Sequence, residues 1–214
     1  MLKSRPILKV SGVRCAGLGV AAGLMLLGGC ATVKPLPPPA AVSASVPLAW
    51  DARVAILQQA SDWALSGRTA VAIGTQGWQA SLNWRQHGTT TEARLAGPLG
   101  VGATVLRLND AGLSVNGGPA SSASDAVAQL QQRLGFDLPL GTLRYWLLGV
   151  PDPATPFELV RNDQDRAQTL TQDGWTMNYD HYLASDGDWL PGHVVLTRGD
   201  VRVRIVVDHW DLPR

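Results

Sequence analysis

The 214-residue chain has only two cysteines, Cys15 and Cys30, and both fall within its first 30 positions. A disulfide-stapled exported fold is therefore excluded, because no thiol remains after Cys30 to form a pair. Lysine is scarce as well. None follows Lys34, and the later arginines are scattered among aspartates with no basic run that could track a nucleic-acid backbone. The chain lacks a Walker glycine-lysine loop, a Gly-x-Ser-x-Gly elbow and a His-Glu-x-x-His pair, so nucleotide, serine-hydrolase and zinc-protease signatures are missing. Its one markedly apolar stretch, Ala16 to Leu27, is too short to span a bilayer. Phenylalanine is limited to two residues while tryptophan reaches eight, a choice that suits a wide, rigid wall with a polar edge.

The N-terminus carries a basic start (Lys3, Arg5, Lys9, Arg14), that apolar stretch, and then Gly28 and Gly29 against Cys30. This is the pattern of a cleavable export signal. The run Leu27-Gly28-Gly29-Cys30 resembles the lipobox of bacterial lipoproteins, in which the cysteine is diacylated, the signal is cut before it and the new amine is acylated. An ordinary secretory signal with an incidental cysteine is the alternative. Residue 31 is Ala, not the aspartate that in many diderm bacteria retains a lipoprotein in the inner membrane. By resemblance to that rule the destination is the outer membrane, with the domain facing the periplasm. The expected layout is a signal peptide over 1–29, a lipidated cysteine with a Pro/Ala-rich tether over 30–49, and one domain over 50–214. Cleavage removes four of 18 basic residues and none of 17 acidic ones, which leaves 14 against 17 and a net charge of about −3. The tether, with Pro35, Pro37, Pro38, Pro39 and Pro47, has too little apolar content to build a core and acts as a spacer.

Trp50, Val54, Leu57, Trp63 and Leu65 approximate one helical face, which predicts a helix over Trp50 to Leu65. Between Gly77 and Gln86 the period changes to two, with Trp78, Ala80, Leu82 and Trp84 alternating with polar residues. Similar alternation marks Ala103 to Leu108, Trp175 to Tyr179 and Val201 to Val207, and glycine-centred turns punctuate the chain between them. Such spacing implies an antiparallel meander. Two segments interrupt it: Ser121 to Leu134, where Ser124 can cap a helix bearing Val127, Leu130 and Leu134, and Pro139 to Leu148, closed by Gly149 and Pro151. The expected architecture is a curved antiparallel sheet with two helices inserted mid-sequence.

Further along, Leu138-Pro139-Leu140-Gly141-Thr142-Leu143-Arg144-Tyr145-Trp146 is followed by Gly149-Val150-Pro151. With Gly97-Pro98-Leu99-Gly100, Gly174-Trp175, Tyr179, Tyr182, Leu190-Pro191 and Asp208-His209-Trp210, in that order behind a lipobox, the chain resembles the LolB family from Trp50 to Trp210. The resemblance implies a mainly β (α+β) fold, a half-open antiparallel β-barrel with a helical lid over a hydrophobic cavity. It further implies a monomeric outer-membrane lipoprotein without cofactor or metal, which accepts lipoprotein cargo from a LolA-type periplasmic carrier and delivers it to outer-membrane lipids. A lipoprotein that binds hydrophobic ligands without inserting anything is the alternative. Arg53 stands where many members have a histidine, and its role is left open.

Candidate cavity residues are Trp78, Leu82, Trp84, Val105, Trp175, Met177, Val203 and Ile205 on strands, with Leu143, Trp146 and Leu147 from the lid. Plain core would show the same alternation. Cys30 is the expected lipidation site. Leu99, between Pro98 and Gly100, sits in turn chemistry, and the resemblance implies that it protrudes and helps membrane insertion. Arg144 lies in an apolar helix and needs a partner or water; by resemblance it positions the lid. Asp180-His181 and Asp208-His209 could suggest an acid-base pair or metal ligands, but adjacent strand residues point to opposite faces, so neither pair converges locally on one site.

Overall fold

The computed structural model describes residues 49–97, 102–121, 125, 128, 131–132, 135–185 and 187–212. Cys30 and the tether, Pro98 to Val101 with Leu99, and Ser124, Val127, Leu130 and Leu134 lie outside the described residues.

A short helix, α1 (Trp50–Gln58), opens the domain and buries Trp50, Arg53 and Leu57. It stops well before Leu65. Trp63 and Leu65 instead belong to β1 (Asp62–Ile73), where every second side chain from Trp63 onward is buried. The expected long helix is thus corrected: the spacing of Trp63 and Leu65 is two, and in a strand that period puts both on one face. The meander continues through β2 (Gln76–His87), β3 (Thr90–Ala96), β4 (Thr104–Asn109) and β5 (Gly112–Val115). Between β5 and the next element, Asp125, Ala128, Gln131 and Gln132 are helical and exposed. Then comes α2 (Leu140–Leu147), which buries Leu140, Leu143, Trp146 and Leu147. The chain ends in a second meander of β6 (Phe157–Arg161), β7 (Ala167–Gln172), β8 (Trp175–Ser185), β9 (Asp188–Arg198) and β10 (Val201–Asp211).

Among the described residues ten strands form one antiparallel sheet in the order β5-β4-β3-β2-β1-β10-β9-β8-β7-β6, with β5 and β6 as its edges. The sheet is therefore open. The two meanders join through β1 and β10, from Ala64↔Asp211 to Ile73↔Val201, with a bulge at Ser66/Gly67. Glycine is required at that bulge, since a β-carbon on Gly67 would lie 2.2 Å from the Val206 carbonyl oxygen. β9 parts from β10 beyond His193↔Val206, and the Trp210 indole N–H donates to Pro191 O across the split at 2.9 Å. A single apolar cluster fills the concave face, built from inward residues of both meanders and from α2.

Candidate functional site

On β2 the inward residues grade from rim to floor. Trp78 is 37% exposed, Leu82 5% and Trp84 1%. They line an apolar cavity of about 50 Å³, open on one side and bounded by β1 to β4, β9, β10, the Phe136–Leu138 segment and α2. That is space for a few water molecules. Leu140, Leu143 and Leu147 come from the helix side, and Leu196, Val203 and Ile205 from β9 and β10. No titratable side chain is among the lining residues, and Thr69 is the sole hydroxyl.

Seven of the expected cavity residues therefore border this space: Trp78, Leu82, Trp84, Leu143, Leu147, Val203 and Ile205. Four do not. Val105 is corrected by one residue of phase, since Leu106 is the buried, lining member of β4 while Val105 shares the outer face with Arg107. Trp146, Trp175 and Met177 are fully buried in solid packing beside the cavity. There Trp175 meets Trp146 at 6.5 Å and Phe136 at 6.1 Å between ring centroids. Their inward alternation is real, but α2 fills that half of the concave face. Phe136, Leu138, Leu95 and Ala93 complete the wall; the sequence reading passed over them because they lie outside the strongest alternating runs.

Polar contacts fasten the helix at its C-terminal end. Gln172, buried in β7, accepts from Trp146 Nε1 and from the Asp152 N–H, each at 2.9 Å. Its amide donates to Asp152 O at 2.8 Å and to Thr155 O and Oγ1 at 2.9 Å each. The Tyr179 hydroxyl donates to Trp146 O at 2.9 Å. Burial, reinforced by the neighbouring Tyr182, pushes the Tyr179 hydroxyl well above the ordinary tyrosine range. Tyr182, whose hydroxyl donates to Ala167 O, is also raised, mainly by burial and against the pull of Arg53 and Arg166. No sequence pattern announces Gln172, because a glutamine in a short strand reads as an outward residue.

Arg144 has no carboxylate partner among the described residues. Its guanidinium lies 4.6 Å from the Tyr145 ring centroid and reaches Gly88 O in the β2–β3 turn at 3.4 Å. Arg53, whose role the sequence left open, is buried and bridges elements: it meets Asp188 at 2.6 Å and donates to the Trp189 carbonyl, tying α1 to the β8–β9 hairpin. The two Asp-His dipeptides face outward. Asp180 pairs with His193 and Asp208 with Arg68 at 2.9 Å, while His181 and His209 are exposed.

An open antiparallel sheet wrapped around a hydrocarbon-walled hollow, with a helix packed into its concave side, defines a container for apolar ligands. The family model "Outer membrane lipoprotein LolB" matches residues 61–210. The chain belongs to the LolB family of outer-membrane lipoproteins. It is similar to the outer-membrane lipoprotein LolB of Nitrosococcus oceani, 35% identical over 88% of this chain and 94% of that protein. It is also similar to that of Chromohalobacter salexigens, 30% identical over 87% and 86%. A solved LolA superfamily protein from Nitrosomonas europaea is similar at 8% identity over 78% of this chain and 95% of that one, with a TM-score of 0.49.

Proposed function

We propose that this chain is a lipid-anchored receptor of the outer membrane, which takes lipoproteins from a LolA-type periplasmic carrier and inserts them into the membrane while holding their acyl chains in the cavity. The observation that carries the reading is the cavity wall, made of aliphatic and aromatic side chains in a LolB-family domain. Three acyl chains of roughly 15 carbons represent on the order of 30 kcal/mol of apolar surface that water would otherwise meet. Transfer then runs downhill by tighter binding in the receptor, with no nucleotide consumed. The protein acts without catalysis, as a monomer and without cofactor.

In this reading residues 1–29 are removed, Cys30 carries the lipid, residues up to 49 tether the domain, and 50–214 do the work. No helix among the described residues is long and apolar enough to cross a membrane, which fits an anchor made of lipid. A 20-residue tether spans at most about 65 Å. Leu99 acts at insertion. The strand preceding it, β3, ends at Ala96 opposite Ser81, toward the end of β2 that carries Trp78. One exposed leucine contributes about 1.5 to 3 kcal/mol when buried in lipid, enough to orient the mouth without anchoring it. Arg144 holds the helix against the β2–β3 turn.

The test is a two-step transfer with the unlipidated Cys30→Ala chain: labelled lipoprotein from carrier to this protein, then to liposomes. Leu99→Glu leaves the first step intact and abolishes the second. A block at the first step, or an unchanged second, overturns the role of Leu99. Binding of lipids with no uptake of lipoprotein from the carrier would favour the ligand-binding alternative.

A further inference from the structure

The cavity holds one polar group that packing does not explain. Thr69 is 6% exposed on the inner face of β1, between Gly67 and Val71, and its hydroxyl makes no hydrogen bond to any described residue. Among the described residues the fully buried polar side-chain atoms without a partner are indole nitrogens of Trp63, Trp84 and Trp175, so the Thr69 oxygen keeps contact with the cavity space it lines, where valine would pack the same wall without a polar atom. Across the sheet Thr69 faces Ala80, and Val71 faces Trp78, so Thr69 and Trp78 are diagonal neighbours about 7 to 8 Å apart on the same face. Trp78 likewise makes no side-chain hydrogen bond to a described residue. The small Ala80 leaves space between the two. At the neck, then, the wall carries a hydroxyl and an indole N–H, and deeper liners are hydrocarbon apart from the Trp84 indole.

Three buried indole N–H groups, those of Trp63, Trp84 and Trp175, also lack an acceptor among the described residues. Trp63 and Trp175 have tilted aromatic neighbours whose faces can receive an N–H. Trp84, stacked parallel on Trp63 at 8°, has no such face, but it lies about 13 Å along β2 below Ala80. A chain that enters tail first keeps its polar end near the rim, at Thr69 and Trp78.

We propose that Thr69, assisted by Trp78, is a carbonyl-recognition site: the hydroxyl and the indole N–H donate to the ester or amide carbonyl at the head of an acyl chain and so set how deeply the chain is seated. This rests on the reading that the cavity holds acyl chains. It gives the receptor a means of telling an acyl group from bare hydrocarbon, which an apolar wall alone does not possess.

The test uses the Cys30→Ala chain and two fluorescent lipopeptides of equal chain length, one with S-dipalmitoylglyceryl esters and one with the corresponding dihexadecyl ethers, which lack the carbonyls. The parent chain, with Thr at 69, binds the ester probe about threefold to tenfold more tightly, the range of one net neutral hydrogen bond. Thr69→Val removes most of the ester preference, the remainder being the share of Trp78, and leaves ether affinity and the melting temperature unchanged or raised. Thr69→Ser keeps the preference. Equal affinities in the parent chain, or an equal loss for both probes in Thr69→Val, overturn the carbonyl site while leaving the acyl cavity standing. If neither probe binds the parent chain, the cavity reading itself fails.

Discussion

Replacing Gln172 by Leu removes the residue that joins β7, the end of α2 and the 152–155 loop. The largest loss is at Trp146, a fully buried residue whose indole N–H is left without the acceptor at 2.9 Å. Such an orphaned donor costs about 1 to 3 kcal/mol. The Asp152 N–H and O and the Thr155 acceptors lie nearer the surface and recover water, so they add less. With a small return from the added apolar side chain, the net is about 3 kcal/mol. In urea, where a domain of this size loses roughly 1 to 3 kcal/mol of stability per molar, the midpoint moves down by at least 1 M. Gln172→Glu keeps an acceptor for Trp146 but loses the amide donors. It should be milder and should weaken as pH rises from 5 to 8, because the buried carboxyl resists ionisation that the unfolded chain undergoes freely. Since Gln172 does not touch the cavity, both variants bind an acyl probe normally well below their transitions. A midpoint shift under about 0.3 M for Gln172→Leu, less than 1 kcal/mol at that slope, would refute the assignment of Gln172 as the fastening of α2.

Arg53→Ala leaves Asp188 partly buried and the Trp189 carbonyl unpaired, so thermal melts should show a loss of about 2 to 4 kcal/mol. Arg53→Lys restores only part of it, because one ammonium does not span both acceptors, and in an Asp188→Asn background the loss should shrink. Tyr179 and Tyr182 are held neutral in the folded state. Their contribution is fully present below the ordinary tyrosine pKa of about 10 and is lost as pH rises beyond it, since the unfolded chain releases those protons first. Urea midpoints measured from pH 8 to 11 should fall above pH 10, and the slope should flatten in Tyr179→Phe.

β2 was legible because its polar and apolar residues alternate without exception from Trp78 to Trp84. In β4, Val105 and Leu106 are both apolar, and the phase is set by pairing with β3, where Leu106 faces Ala93. β1 was masked by Trp50, Val54 and Leu57, whose helical spacing runs on into Trp63. β9 contains Pro191, a poor strand residue, and it is accommodated where pairing with β10 has already ended. The distinction between hollow and core was not legible at all. Trp175 and Met177 alternate as cleanly as Leu82 and Trp84, and only the position of α2 decides which pair faces space.

Every strand pairing in the sheet joins neighbours in sequence except that of β1 with β10. A chain emerging N-terminus first can assemble β1 to β5, and later β6 to β9, as two separate ribbons whose apolar inner faces are covered only in part, by α1 and α2. β10 supplies Val203 and Ile205 to the cavity wall and Trp210 to the aromatic group around Trp63, so it is at once the seam and part of the lining. The container therefore has no partial form. Until β10 arrives part of the apolar wall lacks its cover, and the non-local closure that completes it is of the slow, aggregation-prone kind. The wall proposed to hold acyl chains is thus among the last apolar surfaces of the domain to be covered.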